Sequence, residues 1–131
     1  MRVHHIGYLV RKVERAAQTL EALGYVREGN VTRDEFRGID ILFLVNGETR
    51  VELVAPYAED SAVGELKKRV GNAPYHICYI SDDLDADVAR MTENGYVLTS
   101  PANAAPAIGG NRVAFLMNAA IGLIELVEHV K

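Results

Sequence analysis

The chain has 131 residues, of which 49% are hydrophobic and 24% charged, so it is long enough for one globular domain and too apolar to be disordered. A formal net charge of −4 provides no basic footprint for nucleic acid, and no apolar run approaches the ~20 residues that a membrane span needs. The single cysteine cannot form an internal disulfide, and no signal-peptide core follows Arg2, so we expect a cytoplasmic protein that binds neither nucleic acid nor membranes.

The first half of the chain predicts a strand, a helix and three further strands. Residues 3–10 are rich in β-branched and aromatic side chains, which is typical of a strand. The helix is expected to end at Gly24, because glycine suits the left-handed turn after a helix. Its apolar positions at helical spacing are Val13, Ala16, Ala17, Leu20 and Leu23. The later strands are expected near 25–28, 39–45 and 49–55, with a charged loop at 29–38.

The second half repeats this order after a linker. Residues 57–73 lie between prolines, and Ser61 is expected to cap a short linker helix that runs through Val70. The next helix begins near Asp82 or Asp83 and ends at Gly95. Its apolar face is expected to consist of Leu84, Val88 and Met91. The strands of this half are expected near 75–80, 96–99, 112–117 and 122–129, with a Pro/Ala/Gly-rich loop at 100–111.

The two halves are copies of one another in sequence. Residues 5–26 align with residues 76–97 without a gap, so that His5 matches His76. The ends of the halves also agree, since Phe43-Leu44-Val45-Asn46 matches Phe115-Leu116-Met117-Asn118 and residues 51–54 match 124–127. The sequence therefore predicts one α+β domain of two repeated βαβββ modules, with module 1 at 1–56, the linker helix at 57–73 and module 2 at 74–131.

Two histidines and two glutamates occupy matched strand positions in the repeat. Side chains alternate between the faces of a strand, and Glu125 shares its face with Leu123 and Val127. A carboxylate on an inward face is costly unless it is paired or bound to a metal. Taken singly, such residues are more often core histidines or solvated glutamates, but a repeated pair favours a site. If a pseudo-twofold axis relates the modules, the four side chains converge there: His5, Glu52, His76 and Glu125.

The blocks HIGYLV…ELVAP and HICYI…GLIELVE resemble the vicinal oxygen chelate superfamily, which includes glyoxalase I and the methylmalonyl-CoA epimerases. The resemblance runs from residue 3 to residue 130 and implies a cupped mixed sheet around one divalent metal ion. The ligands that it implies are His5, Glu52, His76 and Glu125. This set of imidazoles and carboxylates suits zinc, nickel, cobalt, manganese or iron, without selecting one of them.

The resemblance implies proton abstraction next to a carbonyl or thioester, on a small-molecule substrate such as a thioester or a glutathione adduct. We expect Glu125 to be the first base, because its strand face is otherwise apolar and favours the protonated carboxyl. Glu52 or Glu35 is expected to be its partner. The epimerases carry a Glu-Gln pair before their third strand, and counting back from Val51 places Phe36 there, with Glu35 just upstream. A homodimer is also implied.

Two other functions of the same superfamily stay open. Drug-sequestering proteins related to bleomycin resistance bind a ligand without catalysis, and their metal positions are generally replaced, whereas all four are present here. Ring-cleaving dioxygenases use two histidines and one carboxylate. The fourth ligand, Glu52, makes that function less favoured than a glyoxalase I-like lyase or an epimerase-like isomerase.

Overall fold

A computed structural model describes residues 1–129. In it, Val3–Leu9 form a strand that pairs with a second strand at Thr49–Pro56. The chain folds as two compact units, one of His5–Tyr75 and one of Met1–His4 with the chain from His76 onward. The last two residues of the predicted module 2, Val130 and Lys131, lie outside the described residues.

The elements of the first unit are β1 (Val3–Leu9), α1 (Val13–Glu21), β2 (Val26–Asp34), β3 (Ile39–Asn46), β4 (Thr49–Pro56) and the linker helix α2 (Gly64–Val70). The four strands form a mixed sheet with the order β2-β3-β4-β1. Strand β1 is parallel to β4, and the other neighbours are antiparallel hairpins.

The elements of the second unit are β5 (Ala73–Ser81), α3 (Leu84–Glu93), β6 (Val97–Ala104), a 3₁₀-helix (Pro106–Ile108), β7 (Arg112–Asn118) and β8 (Gly122–Glu128). The arrangement of the first unit is repeated, with the strand order β5-β8-β7-β6. Strand β5 is parallel to β8, and β8-β7-β6 is antiparallel. The predicted α+β fold of two repeated βαβββ modules with mixed strand pairing is therefore confirmed.

One face of each sheet is covered by the helix of its own unit. In the first unit Ala17 of α1 packs with Leu42 and Leu53, which are each 1% exposed. In the second, Leu84 of α3 packs with Leu126, which matches Leu53 in the repeat. Each fully buried leucine contributes about 2 kcal/mol, so this face supplies most of the hydrophobic stabilisation. Since strand side chains alternate, the intervening residues point to the opposite face of each sheet.

The two predicted loops are shorter than expected. Strand β2 continues through most of 29–38 to Asp34, with an irregular register between Glu28 and Thr32. Strand β6 likewise continues to Ala104 before the 3₁₀-helix. The predictions were wrong here because pairing with the neighbouring strand resumes after each irregular stretch, at Thr32 and at Asn103, despite poor strand formers such as Asn30 and Pro101.

Two finer predictions were also wrong. Leu23 is 69% exposed and lies beyond the end of α1, so it takes no part in the apolar face. Ser61 does not cap α2, whose N-cap is Val63. The Ser61 hydroxyl instead donates to the carbonyl of Arg37 at 3.2 Å and so links the linker to the β2–β3 turn. In contrast, Asp83 caps α3 as predicted by accepting from the Ala86 N–H at 3.1 Å.

Among the described residues, no helix has the length and apolar character needed to cross a bilayer. This agrees with the absence of long apolar runs in the sequence.

Helix α3 is joined to the end of β5 by a charged hydrogen bond, which predicts a pH dependence. The buried Ser81 hydroxyl donates to Asp87 at 2.6 Å, and Arg90 donates at 2.8 Å; both bonds hold the pKa of Asp87 below its ordinary 3.8. Because the pKa is lowered in the folded state, the stabilisation is present above about pH 4 and is lost as the pH falls through the folded value.

We expect Asp87→Asn to lower the free energy of unfolding by about 1–2 kcal/mol at pH 7 and by progressively less below pH 4. Urea unfolding at a series of pH values measures this difference. The exposed Asp60→Asn serves as the control, and an Asp87→Asn effect that stays constant down to pH 2.5 contradicts the prediction.

Candidate metal centre

The first half-site, His5 and Glu52, lies on the face of the sheet that α1 does not cover. Glu52 is paired in register with Gly7 of β1, and His5 precedes Gly7 by two residues, so both side chains point to the same face. His5 is 1% exposed and Glu52 is 4% exposed. The imidazole Nε2 lies 3.4 Å from Oε1 of Glu52.

The second half-site, His76 and Glu125, reproduces this geometry in the other unit. Glu125 is paired in register with Cys78, two residues after His76. The distance from Nε2 of His76 to Oε1 of Glu125 is 3.3 Å, and both residues are at most 4% exposed. Gly7 and Cys78 are both small, so each glutamate has room beside it on its parallel neighbour strand.

Each histidine also contacts an aromatic ring that the sequence analysis did not single out as functional. The rings of His5 and Phe43 have centroids 5.2 Å apart and planes at 76°. Those of His76 and Phe115 also lie 5.2 Å apart, with planes at 88°. Both phenylalanines belong to the matched blocks of the repeat, so the signal was present in the sequence alignment of the two halves. It was missed because aromatic residues in strands are usually packing residues.

The donor atoms of each half-site fit a divalent ion. Both Nε2–Oε1 distances exceed the 2.7–3.2 Å that is typical of a protein hydrogen bond. Two ligand atoms at ~2.1 Å from a tetrahedrally coordinated ion are about 3.4 Å apart, which matches the observed spacing. Imidazole nitrogen and carboxylate oxygen are ligands of zinc and similar ions. Buried carboxylates also require a compensating charge, which a cation would supply.

Glu35, the remaining predicted catalytic residue, lies elsewhere on the surface of its unit. It is exposed in the turn between β2 and β3, next to Phe36, which is 74% exposed. The buried carboxylate of this segment is Asp34, which accepts from the Arg37 N–H at 3.0 Å and from its guanidinium at 2.7 Å. The structure therefore brings His5 to Glu52 and His76 to Glu125, while a catalytic role for Glu35 stays a prediction.

Comparison with known families agrees with the predicted resemblance. A family model described as the Glyoxalase/Bleomycin resistance protein/Dioxygenase superfamily matches residues 4–115. The ethylmalonyl-CoA/methylmalonyl-CoA epimerase of Cereibacter sphaeroides is 33% identical over 97 residues, which cover 72% of this chain and 71% of that protein. The mitochondrial methylmalonyl-CoA epimerase of Homo sapiens is 27% identical over 91 residues. That alignment covers 69% of this chain and 52%, about half, of the human protein.

Solved structures show the same similarity. A variant of the Streptomyces coelicolor methylmalonyl-CoA epimerase, in complex with 2-nitronate-propionyl-CoA, is 26% identical with a TM-score of 0.86. The match covers 99% of this chain and 95% of that one. The expectation that the chain is an enzyme is confirmed by these relatives, which are epimerases.

The imidazole and carboxylate of each half-site predict that a divalent cation stabilises the protein. At a hundredfold excess over its dissociation constant, an ion adds about 2.7 kcal/mol, which is roughly 10 °C in Tm for a chain of this size. We expect Zn²⁺ or Co²⁺ to raise the Tm of the chelator-treated protein by about this amount. His5→Ala and His76→Ala should each abolish the shift in differential scanning fluorimetry.

His129→Ala is the matched control for this experiment. Nδ1 of His129 is hydrogen-bonded to Oδ1 of Asp82 at 2.6 Å, outside both half-sites. This variant should keep the full metal-induced shift. A shift that survives in both His5→Ala and His76→Ala would show that the ion binds elsewhere.

Proposed function

The chain belongs to the Glyoxalase/Bleomycin resistance protein/Dioxygenase superfamily, and on this premise we propose that it is a metal-dependent epimerase of methylmalonyl-CoA or a similar 2-carboxyacyl-CoA thioester. The observation that carries the proposal is the repeated buried imidazole–carboxylate pair, with Nε2–Oε1 distances of 3.4 and 3.3 Å. The names of the relatives supply the reaction class and the CoA thioester.

In this proposal one divalent ion is held by both half-sites, through His5, Glu52, His76 and Glu125. Support comes from the equal composition, burial and donor spacing of the two pairs, since each pair alone offers only two ligands. A bound ion supplies a Lewis acid for the negative charge that develops on a thioester oxygen when the neighbouring carbon loses its proton. Without such stabilisation, a carboxylate is far too weak a base for this carbon acid at neutral pH.

Glu125 acts as the base that removes the proton from C2 of the substrate. Its neighbours on the same face are the buried Cys78 and Val127, which belong to an apolar cluster with Ala105 and Val113. This cluster excludes water from one side of the carboxylate, which limits side reactions of the deprotonated substrate with water. The Glu125 carboxylate thus combines a fixed position with a dry environment.

A second carboxyl group returns a proton to the opposite face of the same carbon, which inverts its configuration. Glu52 is the equivalent residue of the other half-site and has the same burial and the same histidine neighbour. We propose Glu52 for this role, and Glu35 is the other candidate from the sequence, through a rearranged β2–β3 turn. A cytoplasmic homodimer completes the proposal and rests on family resemblance and composition.

The first prediction is that Glu125→Gln abolishes proton exchange from the epimer whose C2 proton faces Glu125 while keeping the ion, because the amide retains a ligand oxygen and loses the basic one. In D₂O, the metal-loaded wild type should incorporate deuterium at C2 of both pure epimers of methylmalonyl-CoA, as followed by mass spectrometry. Glu125→Gln should lower the rate at least ~100-fold for one epimer only, since Glu52 acts on the other. Glu48→Gln, on the exposed β3–β4 turn, is the control and should retain the wild-type rate.

Metal analysis of the same samples separates the possible failures. One ion per chain supports a shared site, whereas two ions per chain would mean that each half-site binds its own. Wild-type activity in metal-loaded Glu125→Gln contradicts the role of Glu125.

If the loaded protein acts only on the glutathione hemithioacetal of methylglyoxal, it is a glyoxalase-type lyase. If it binds no metal even after reloading, a drug-binding function replaces the enzymatic one, and oxygen-dependent ring cleavage would indicate a dioxygenase.

The second prediction separates the two bases by the epimer on which each acts. A variant that lacks the second base should still exchange the C2 proton of one epimer of methylmalonyl-CoA while interconverting the epimers at least ~100-fold more slowly. We expect this behaviour from Glu52→Gln and unchanged kinetics from Glu35→Gln. Polarimetry and deuterium incorporation, begun from each pure epimer, measure the two steps. The reverse result for the two variants would assign the role to Glu35.

A further inference from the structure

We propose that Phe43 and Phe115 are positioning residues of the metal centre, each holding one histidine ring so that its Nε2 is directed at the glutamate of the same half-site. The inference rests on the proposed metal-binding function and adds two residues to it. It concerns how the chain itself orients its ligands, which decides how tightly and with what geometry an ion is bound.

The first support is that the contact is duplicated. His5 and Phe43 meet with a centroid distance of 5.2 Å and nearly perpendicular planes, and His76 and Phe115 meet at the same distance in the same way. Edge-to-face packing of this kind is a preferred and directional aromatic arrangement. An aliphatic side chain of similar size would fill the space without favouring one rotation of the imidazole.

The second support is the position of each ring in the sheet. Phe43 of β3 is directly opposite Glu52 in the antiparallel register, and Phe115 of β7 is directly opposite Glu125. Each phenylalanine therefore stands beside the carboxylate on one strand and reaches the histidine of the strand beyond it. One ring thus contacts the histidine and borders the glutamate, which are the two ligands whose donor atoms must stay 3.3–3.4 Å apart.

The third support is that the helix-covered core does not require these rings. The clusters under α1 and α3 are formed by residues such as Leu42 and Leu116, on the other face of the same strands. The chain has three phenylalanines, and the third, Phe36, is 74% exposed. Phe43 is buried and Phe115 is half-buried, and they stand at equivalent positions, one against each histidine. Phe115 also packs against the apolar cluster beside Glu125.

Positioning of ligands by their neighbours is a general determinant of metal affinity. Loss of a residue that orients a ligand typically costs 10–100-fold in metal affinity, because the free ligand samples orientations that the ion cannot use. If both half-sites bind the same ion, loss of either ring should weaken that single site.

The test measures Co²⁺ binding to the full-length protein, by competition with a chromophoric chelator and by visible absorption of the bound ion. Phe43→Leu and Phe115→Leu should each raise the dissociation constant about tenfold or more and change the Co²⁺ d–d bands. Phe115→Tyr, at a half-buried position, keeps the ring. Its dissociation constant should lie within about twofold of the wild-type value, and its d–d bands should match those of the wild type. Phe36→Leu is the matched control and should change neither.

The outcomes distinguish this inference from the function on which it rests. Unchanged affinity and spectrum in both leucine variants overturn the positioning role and leave the metal site intact. A lower Tm of the metal-free variants with an unchanged dissociation constant also overturns it, since that is the result expected of simple packing. Failure of the wild type to bind Co²⁺ removes the metal site and the inference together. If the leucine variants do not fold, Phe43→Met and Phe115→Met give the same readouts, because the flexible methionine side chain adapts better to an irregular space.

Discussion

The arrangement on which the rest of the structure depends is a carboxylate buried beside an imidazole on a strand face, built twice. Removing a carboxylate from water costs several kcal/mol unless an opposite charge or hydrogen bonds replace its hydration. A protein retains such a pair where the buried charge has a use. The donor atoms of both pairs, His5 with Glu52 and His76 with Glu125, fit a divalent ion, which is the use proposed above.

The two faces of each sheet differ in composition. The face beneath α1 or α3 is covered by apolar side chains, while alternate residues of the same strands carry the polar pairs. The second face is also partly apolar, since Cys78, Val113 and Val127 belong to a buried cluster beside Glu125. The four candidate ligands therefore lie opposite the helix-covered core and do not interrupt it.

Much of the fold and of the candidate site could be predicted because both are properties of alternation and repetition. A period of two places His5 on the same face as Gly7, and the repeat transfers that placement to His76 and Cys78. The extents of β2 and β6 could not be predicted, because Gly29, Asn30 and Pro101 are poor strand formers, whereas pairing resumes beyond them, with Thr32 opposite Ile41 and Asn103 opposite Val113. The role proposed for Phe43 and Phe115 could not be predicted either, because a phenylalanine in a strand is usually a packing residue and the sequence does not show which side chain it contacts.

The sequence by itself determined the duplicated βαβββ order, the inward positions of the four candidate ligands and the resemblance to a family, because local propensity and strand alternation depend only on neighbouring residues. The tertiary structure decided the pairing register that sets each histidine 3.3–3.4 Å from its glutamate and one aromatic ring against each imidazole. It also placed Glu35 on an exposed turn and Asp34 in a buried ion pair with Arg37. These distances depend on contacts between residues far apart in the chain, which hydrogen bonding between strands and packing of side chains establish only in the folded protein.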